Sequence, residues 1–187
     1  MPEVNDLPSK NCCQNIILVG FMGCGKSTVG REIGLQLKYP LVDTDSLIVE
    51  SVGMSVAKIF AKHGEHYFRD LETNLISQIQ AAECTKQIIS TGGGLPVREQ
   101  NRACLKKLGY VVWLQASVNT VLERTAKSKH RPLINEANPR EKIERMLAER
   151  DPIYADVADI TINTDDLDIS ETVHGIVESA NYHFSNY

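Results

Sequence analysis

The sequence predicts an α/β fold of three layers, with a five-stranded parallel sheet between two layers of helices. Five short apolar stretches alternate with longer segments in which apolar residues recur every three or four positions, and this alternation is typical of parallel strands joined by helical crossovers. The first apolar stretch, residues 16–19, runs directly into a glycine-rich sequence that is followed by a helical pattern. That order of strand, loop and helix is typical of a phosphate-binding loop.

The glycine-rich sequence has the spacing of a Walker A loop: Gly20, four residues, then Gly25, Lys26 and Ser27. Its glycines let backbone N–H groups surround a phosphate, and the helix that follows adds its positive N-terminal end. The Lys26 ammonium would reach the β and γ phosphates, and the Ser27 hydroxyl would bind Mg²⁺. A strand-to-helix turn with chance glycines is the disfavoured alternative. The predicted nucleotide-binding residues of the loop are Gly23, Cys24, Gly25, Lys26, Ser27 and Thr28.

Cys24 lies within this loop, just before the helix begins. We expect its side chain to face the phosphate site, so that alkylation of the thiol would block ATP and MgADP would protect against it.

Composition limits the remaining possibilities. The chain has 187 residues, a formal net charge of -4 and a pI near 5.7. This length suits one domain spanning 1–187, with residues 1–14 as a flexible N-terminus, and a chain of this size buries roughly 70% of its unfolded surface. An acidic chain has no general basic field, so we expect neither a nucleic-acid nor a membrane partner.

Cysteine usage and the N-terminal sequence indicate location. Five cysteines are an odd number without a C-x-x-C pair, which favours neither a disulfide framework nor a zinc site. Residues 1–11 lack the pattern of a signal or transit peptide. The longest apolar run is far shorter than the ~20 residues of a membrane span. We expect a cytoplasmic protein.

The first helix is predicted to run from Lys26 to the stop at Tyr39-Pro40, with Gly30 and Gly34 allowing close packing on one of its faces. A short strand at 41–42 leads into Asp43-Thr44-Asp45. Ser46 or Ser55 is expected to cap a short helix, and a longer helix is expected over 65–82.

The rest of the chain continues the alternation. Gly109 is expected to end its helix as a left-handed cap, and residues 181–187 are expected to form a polar tail. The predicted strands are 87–90, 110–115 and 160–162, and the predicted helices are 98–108, 117–125, a helix opened by Asn138-Pro139, and a last helix around 173–177.

Ligands of an open α/β sheet bind beyond the carboxyl ends of its strands, so Gly20, residues 43–45 and residues 91–94 should converge. Asp43 and Asp45 can point to the same side, one toward a Mg²⁺-bound water and the other toward a hydroxyl of the phosphoryl acceptor. A solvated Asx-turn would be favoured without the phosphate loop. The glycines at 92–94 can present backbone N–H groups to a ligand.

Several basic residues have two interpretations each. Arg69 and Glu72 are three residues apart on a predicted helix and form either a surface ion pair or part of a site. The basic stretch 124–131 is either a solvated loop or a mobile lid over phosphates. Arg150, taken alone, would complement the C-terminal end of its helix.

From about Asn15 to Val177 the chain resembles the shikimate kinase family. The resemblance rests on G-x-x-G-x-G-K-S at 20–27, D-x-D at 43–45, F-R-x-x-E at 68–72, G-G-G at 92–94, R-P-L at 131–133 and R-x-P-x-Y at 150–154. It implies a parallel sheet in the order 2-3-1-4-5, of the nucleoside monophosphate kinase type. It also implies transfer of the γ-phosphate of ATP, with Mg²⁺, to the 3-hydroxyl of shikimate in aromatic amino-acid biosynthesis.

The resemblance assigns roles on the acceptor side of the site. Asp45 would bind the shikimate hydroxyls and orient or deprotonate the attacking one. Arg69 and Arg150 would grip the shikimate carboxylate, with Glu72 steadying Arg69. The glycines Gly92, Gly93 and Gly94 would line the substrate, Gly93 through a backbone contact.

On the nucleotide side, the resemblance implies that Asp43 holds Mg²⁺ through water beside Ser27. Arg124 would lie against adenine, and Arg131 would be the lid arginine on the transferring phosphate, within a mobile lid at about 125–138. With Asp45 and Lys26, Arg131 would be catalytic. The protein is expected to be a monomer.

Two rival functions fit less well. A gluconate or nucleoside monophosphate kinase would not explain Arg69 and Arg150 together with Asp45. A GTPase switch would need an N-K-x-D guanine signature, which does not occur in the sequence.

Overall fold

The computed structural model describes residues 14–126 and 138–186. Five strands form one sheet in the order β2-β3-β1-β4-β5, which confirms the expected order. Every pairing is parallel, and Ile17 of the central strand lies opposite Ile89 on one side and Val111 on the other. The strands are β1 Ile16–Val19, β2 Leu41–Asp43, β3 Ile88–Ser90, β4 Tyr110–Gln115 and β5 Ile160–Asn163.

Helices cover the sheet. The first and last helices, α1 and α7, pack against each other, whereas α4 and α6 pack against each other and against β4. The bounds are α1 Lys26–Leu37, α2 Thr44–Val52, α3 Val56–Ala81, α4 Glu99–Leu108, α5 Val118–Thr125, α6 Pro139–Val157 and α7 Ile169–Ser185, with a 3₁₀ turn at Leu95–Val97. In the described part of the chain, no helix is both long and apolar enough to cross a bilayer.

The main core surrounds β1, whose four residues are all completely buried. A strand covered on both faces needs apolar side chains in succession, which explains the unbroken run Ile-Ile-Leu-Val. A second, smaller cluster joins Ile48 of α2 to Ile59 and Phe68 of α3. The α2–α3 region therefore has apolar packing of its own beside the sheet.

Two glycine predictions had different outcomes. A Cβ at Gly30 would lie 3.0 Å from Leu41 Cδ1 and 3.1 Å from Leu18 Cδ1, so the close packing expected of this glycine is confirmed. Gly109 is not the left-handed cap that we expected, since its φ is 158° and its ψ is -155°. A Cβ there would clash with Asn15, whose amide group donates 2.9 Å hydrogen bonds to the carbonyls of Cys84 and Leu108. The close approach of Asn15 and a φ that other residues rarely adopt are the reasons for glycine at 109.

Helix α3 corresponds to two of the expected helices, a short one capped by Ser55 and a longer one over 65–82. It begins at Val56, where the Ser55 side chain accepts a hydrogen bond from Lys58 N at 3.4 Å, so the expected Ser55 cap is confirmed. Its regular geometry is interrupted at Gly64, with φ 81° and ψ 171°. The predicted start near Glu65 is therefore the start of the second segment of the helix. Asp43, and not Ser46, caps α2.

Two other helices run past their predicted ends. Helix α6 continues through Pro152 to Val157, which places Arg150 in its interior and not at its C-terminal end. Helix α7 continues to Ser185, so the expected polar tail from residue 181 is helical as far as Ser185. Phe184 packs against the main core, which explains why the helix extends this far. The expected flexible N-terminus and lid fall almost wholly outside the described residues.

Candidate active site

The carboxyl ends of β1, β2 and β3 open into a cavity of about 680 Å³. Parallel strands place the residues that follow them at one edge of the sheet, and α3 and α6 close the far side. The predicted site residues that line the cavity are Gly23, Gly25, Lys26, Ser27, Thr28, Asp43, Asp45, Arg69, Gly92, Gly93, Gly94, Arg124 and Arg150.

The phosphate-binding loop is shaped by its glycines. Gly23 and Gly25 have φ values of 81° and 101°, a region that other residues rarely adopt. Helix α1 begins at Lys26, so its first N–H groups face the cavity end of the loop. The Lys26 ammonium donates to the carbonyls of Gly20 at 2.8 Å and Phe21 at 2.9 Å. This positive charge is thus held within the loop that would surround a phosphate.

Cys24 does not face the phosphate site, so our expectation for its side chain is wrong. The side chain is 1% exposed and belongs to the main core. The loop turns Sγ inward, toward Gly20 and the Lys26 ammonium, whose Nζ lies 3.6 Å from Sγ. A buried thiol is a poor target for alkylation, although the backbone of Cys24 remains part of the loop.

Ser27 and Asp43 form a hydrogen-bonded pair of oxygen groups. Ser27 Oγ donates to Asp43 Oδ2 at 3.0 Å, while Asp43 Oδ1 accepts from Ser46 N at 3.1 Å as the cap of α2. Among the described residues, no group of three or more His, Cys, Asp or Glu side chains could hold a metal ion. A Mg²⁺ ion at this pair would therefore need phosphate and water oxygens as well, which is how Mg²⁺ is usually bound beside nucleotides.

Asp45 and Glu72 meet on either side of Gly92. A Cβ at Gly92 would clash with Asp45 Oδ1 and would lie 2.8 Å from Glu72 Oε1, so a larger residue does not fit there. The Gly92 N–H donates to Thr44 Oγ1 at 2.8 Å, which fixes the turn. Glycine after β3 thus brings two carboxyl groups from different helices together at the floor of the cavity.

The electrostatics of Glu72 differ from those of a surface carboxylate. Burial raises the pKa of Glu72 to about 7, against an opposing attraction and hydrogen bond from Arg69. The negative charge of Asp45 raises the pKa further, and Arg150 lowers it. Glu72 is therefore easier to protonate than a carboxylate on the surface.

Arg69 is held between two carboxylates. Its Nη1 donates to Glu72 Oε2 at 2.7 Å, and its Nη2 and Nε donate to Glu65 Oε1 at 2.7 Å and 3.1 Å. The guanidinium also lies 6.0 Å and 5.9 Å from the ring centroids of Phe60 and Phe68. Burial opposes its charge, but the two glutamates outweigh that effect and leave the pKa of Arg69 raised. Arg69 is a fixed cation.

Arg150 faces the cavity from α6. Its guanidinium carbon lies 5.5 Å from the ring centroid of Phe21. One turn further on, the fully buried Tyr154 donates from its hydroxyl to the Gly93 carbonyl at 2.6 Å. Burial raises the pKa of Tyr154 above its ordinary value of 10.0, so the hydroxyl stays protonated and can donate. Tyr154 thereby fixes the glycine turn between the two arginines.

Arg124 connects α5 to the segment after β5. Its Nη1 and Nη2 donate to the side chain and the carbonyl of Thr164 at 3.0 Å and 2.7 Å. Beside it lies a second pocket of about 240 Å³, with a largely apolar wall. The lining residues are Cys24, Gly25, Thr28, Val29, Arg124, Thr164, Leu167, Ile169 and Thr172.

The sequence alone did not assign roles to several of these groups. Predicted site residues are contacted by Glu65 and Phe60, which lie against Arg69, and by Tyr154, which binds Gly93. Hydrophobic periodicity gave none of these three a role in the site. The R-x-P-x-Y pattern contained Tyr154 without giving it a partner. The Gly64-Glu65 pair, at the start of the predicted helix and four residues before Arg69, was the one signal for Glu65. Arg131 lies outside the described residues, so its placement stays a prediction.

Comparison with known proteins agrees with this geometry. A family model described as shikimate kinase matches residues 22–181. The chain is 42% identical over 164 residues to a shikimate kinase of Thioalkalivibrio sulfidiphilus, covering 87% of this chain and 84% of that protein. It is 40% identical over 166 residues to a shikimate kinase of Caldanaerobacter subterraneus, covering 89% of this chain and 95% of that protein.

A solved structure gives the same result. A shikimate kinase from Acinetobacter baumannii in complex with shikimate superposes with a TM-score of 0.85 at 36% identity, covering 90% of this chain and 93% of that one. The family model spans most of the residues that form the sheet, the loop and the cavity. The chain belongs to the shikimate kinase family.

Proposed function

We propose that the protein transfers the γ-phosphate of ATP to the 3-hydroxyl of shikimate, giving shikimate 3-phosphate and ADP, in aromatic amino-acid biosynthesis. One observation carries the proposal: Arg69 and Arg150 line the same cavity as Lys26 and Asp45. A phosphate-binding cation, an acidic group and two arginines in one space suit an acceptor that has a carboxylate and hydroxyls. The shikimate complex of the Acinetobacter relative supports the choice of acceptor.

The acceptor would lie between the arginines and Asp45. Planar guanidinium groups bind carboxylates through paired donors, so Arg69 and Arg150 would hold the carboxylate end. Asp45 would accept a hydrogen bond from the reacting hydroxyl, orient it and take its proton. The turn at 92–94 would contact the acceptor through its backbone. Its glycines have no side chains, and a Cβ at Gly92 or Gly94 would collide with Asp45 or Arg69.

The nucleotide would bind along the loop. Backbone N–H groups from Gly23 to Thr28, together with the end of α1, would hold its phosphates. The Lys26 ammonium would stabilise the charge that develops on the transferring group. The second pocket beside Arg124 would bind part of the planar base of the nucleotide. Its volume is about 240 Å³ and one of its walls is largely apolar.

Mg²⁺ would be held at Ser27 and, through water, at Asp43. The hydrogen-bonded pair of oxygens at this position suits the ion's preference for hard oxygen ligands. Bound there, Mg²⁺ would neutralise phosphate charge. Positioning by the loop, the two arginines and Asp45 is the contribution of the protein, because phosphoryl transfer depends chiefly on alignment and charge stabilisation.

The lid and the assembly belong to the same proposal. Arg131, within a lid at about 125–138, would contact the transferring phosphate. At the two ends of that segment, Thr125 is the last residue of α5 and Asn138 is the N-cap of α6. A single kinase domain that acts as a monomer is part of the same proposal. A cytoplasmic location stays a prediction.

A coupled ADP-release assay tests the proposal. Shikimate, gluconate and AMP are offered separately at equal concentration with MgATP. We expect shikimate-dependent ADP release well above the background of ATP hydrolysis, and no stimulation by gluconate or AMP. Stimulation by gluconate or AMP but not by shikimate would contradict the assigned acceptor.

A further inference from the structure

Arg69 has a carboxylate on both of its hydrogen-bonding edges. A guanidinium group binds a carboxylate through two parallel N–H donors, along either its Nε–Nη2 edge or its Nη1–Nη2 edge. Glu65 Oε1 accepts from Nε at 3.1 Å and from Nη2 at 2.7 Å, and Glu72 Oε2 accepts from Nη1 at 2.7 Å. A third carboxylate can bind Arg69 through its Nε–Nη2 edge only if Glu65 leaves.

Exposure decides which glutamate can leave. The Glu72 side chain is completely buried, whereas 61% of the Glu65 side chain is exposed. Removing Glu72 from Arg69 would leave a buried charge without its partner, which is costly. Glu65 can turn into water at the small cost typical of an exposed ion pair.

The backbone around Glu65 also favours its release. Glu65 directly follows the break at Gly64 and begins the second segment of α3. A carboxylate in the first turn of a helix is stabilised by the free N–H groups there. Glu65 therefore retains a favourable position after it leaves Arg69.

We propose that Glu65 occupies the Nε–Nη2 edge of Arg69 as an internal substitute for the acceptor carboxylate, and that it lowers acceptor affinity by competing for that edge. The inference rests on the proposed function, because the competitor is the carboxylate of shikimate. Glu65 acts through Arg69 and is a positioning residue. It keeps the arginine ordered and its charge balanced until the acceptor carboxylate takes its place.

The test measures shikimate binding to Glu65→Gln by isothermal titration calorimetry. Glutamine keeps the size of the side chain but removes the charge that competes for Arg69. We expect shikimate affinity to rise about two- to fivefold, the range for an exposed ion pair, with MgADP affinity unchanged. In steady-state assays KM for shikimate should fall by the same factor with kcat unchanged, because the competition affects ground state and transition state alike.

Two further variants make the result specific. Glu144→Gln removes the same charge from another i,i+4 pair with arginine, at 3.3 Å and with 50% of the glutamate side chain exposed, and it should leave shikimate affinity unchanged. Glu65→Asp keeps the charge but is one methylene shorter, so it should raise the affinity as Glu65→Gln does. If Glu65→Gln raises the affinity but Glu65→Asp binds shikimate as wild type does, the negative charge of residue 65 acts at long range. That result would contradict competition for the Arg69 edge.

The remaining outcomes are also decisive. Unchanged or weaker shikimate binding by Glu65→Gln would overturn the inference, since it would show that Glu65 is neutral toward the acceptor or supports Arg69 in the bound state. Wild-type protein that binds no shikimate would overturn the proposed function, and with it this inference. Binding by wild type with no gain in the variant would overturn the inference alone.

Discussion

Replacing Glu72 with glutamine should remove a pH dependence from the stability of the protein. The Glu72 side chain is completely buried, and burial raises its pKa from 4.5 to about 7 even though Arg69 opposes the shift. A carboxyl group whose pKa is raised by folding favours the folded state in its protonated form. Its contribution to stability is therefore fully present below pH 4.5, declines as the pH rises, and is lost above about pH 7.

The size of this effect follows from the two pKa values. At about 1.4 kcal/mol per pKa unit, the difference between them corresponds to about 3 kcal/mol of unfolding free energy. Most of it, about 2 to 3 kcal/mol, should be lost between pH 5 and pH 8. Glutamine has nearly the same size and can accept a hydrogen bond from Arg69, but it does not ionise in this range.

Urea unfolding at pH 5 and at pH 8 measures the effect directly. The unfolding free energy of wild type should fall by about 2 to 3 kcal/mol more than that of Glu72→Gln over this interval. Glu144→Gln, at an exposed position, should follow wild type. If the unfolding free energies of wild type and Glu72→Gln change equally between pH 5 and pH 8, folding does not raise the pKa of Glu72. A wild type that gains stability relative to the variant as the pH rises would show that pairing with Arg69 outweighs burial.

Four further substitutions test individual contacts. Arg69→Lys keeps the charge but loses the planar fork, so calorimetry should show shikimate binding weakened by about 1 to 3 kcal/mol with MgADP binding unchanged; weaker ADP binding alone would contradict the carboxylate grip. Asp45→Asn should lower kcat more than shikimate affinity in steady-state kinetics, and an effect on affinity alone would limit Asp45 to binding. Gly94→Ala should raise KM for shikimate, since its Cβ would overlap the Arg69 guanidinium, whereas Gly175→Ala, whose Cβ meets nothing within 4 Å, should not. Arg131→Ala should lower kcat by ~10² or more without a change in shikimate affinity, and a near-normal kcat would remove Arg131 from the site.

The parts of the fold that were predictable are those with a strong local signal. The buried run 16–19 and the glycine spacing after it identified the central strand and its loop, because a strand covered on both faces and a loop around a phosphate each restrict residue type. Arg69 and Arg150 were found through sequence patterns of the family and not through periodicity. Their shared cavity results from the packing of α3 and of α6 against the 3₁₀ turn and α4. Local sequence patterns do not predict such long-range contacts.

The errors have equally physical causes. The direction of the Cys24 side chain depends on the dihedral angles of Gly23 and Gly25, which the residue types permit but do not determine. Arg150 was expected at the C-terminal end of its helix, yet α6 continues past it through Pro152, because tertiary packing of Tyr154 can outweigh one missing hydrogen bond.

The proposed regioselectivity is transfer of phosphate to one hydroxyl of shikimate in this cavity. It is tested most directly by correlated proton–phosphorus NMR of the product formed from shikimate and MgATP. We expect a single phosphate ester coupled to the proton on carbon 3, formed only when protein is present. A phosphate ester at another hydroxyl, or ADP that accumulates without any phosphorylated shikimate, would contradict it.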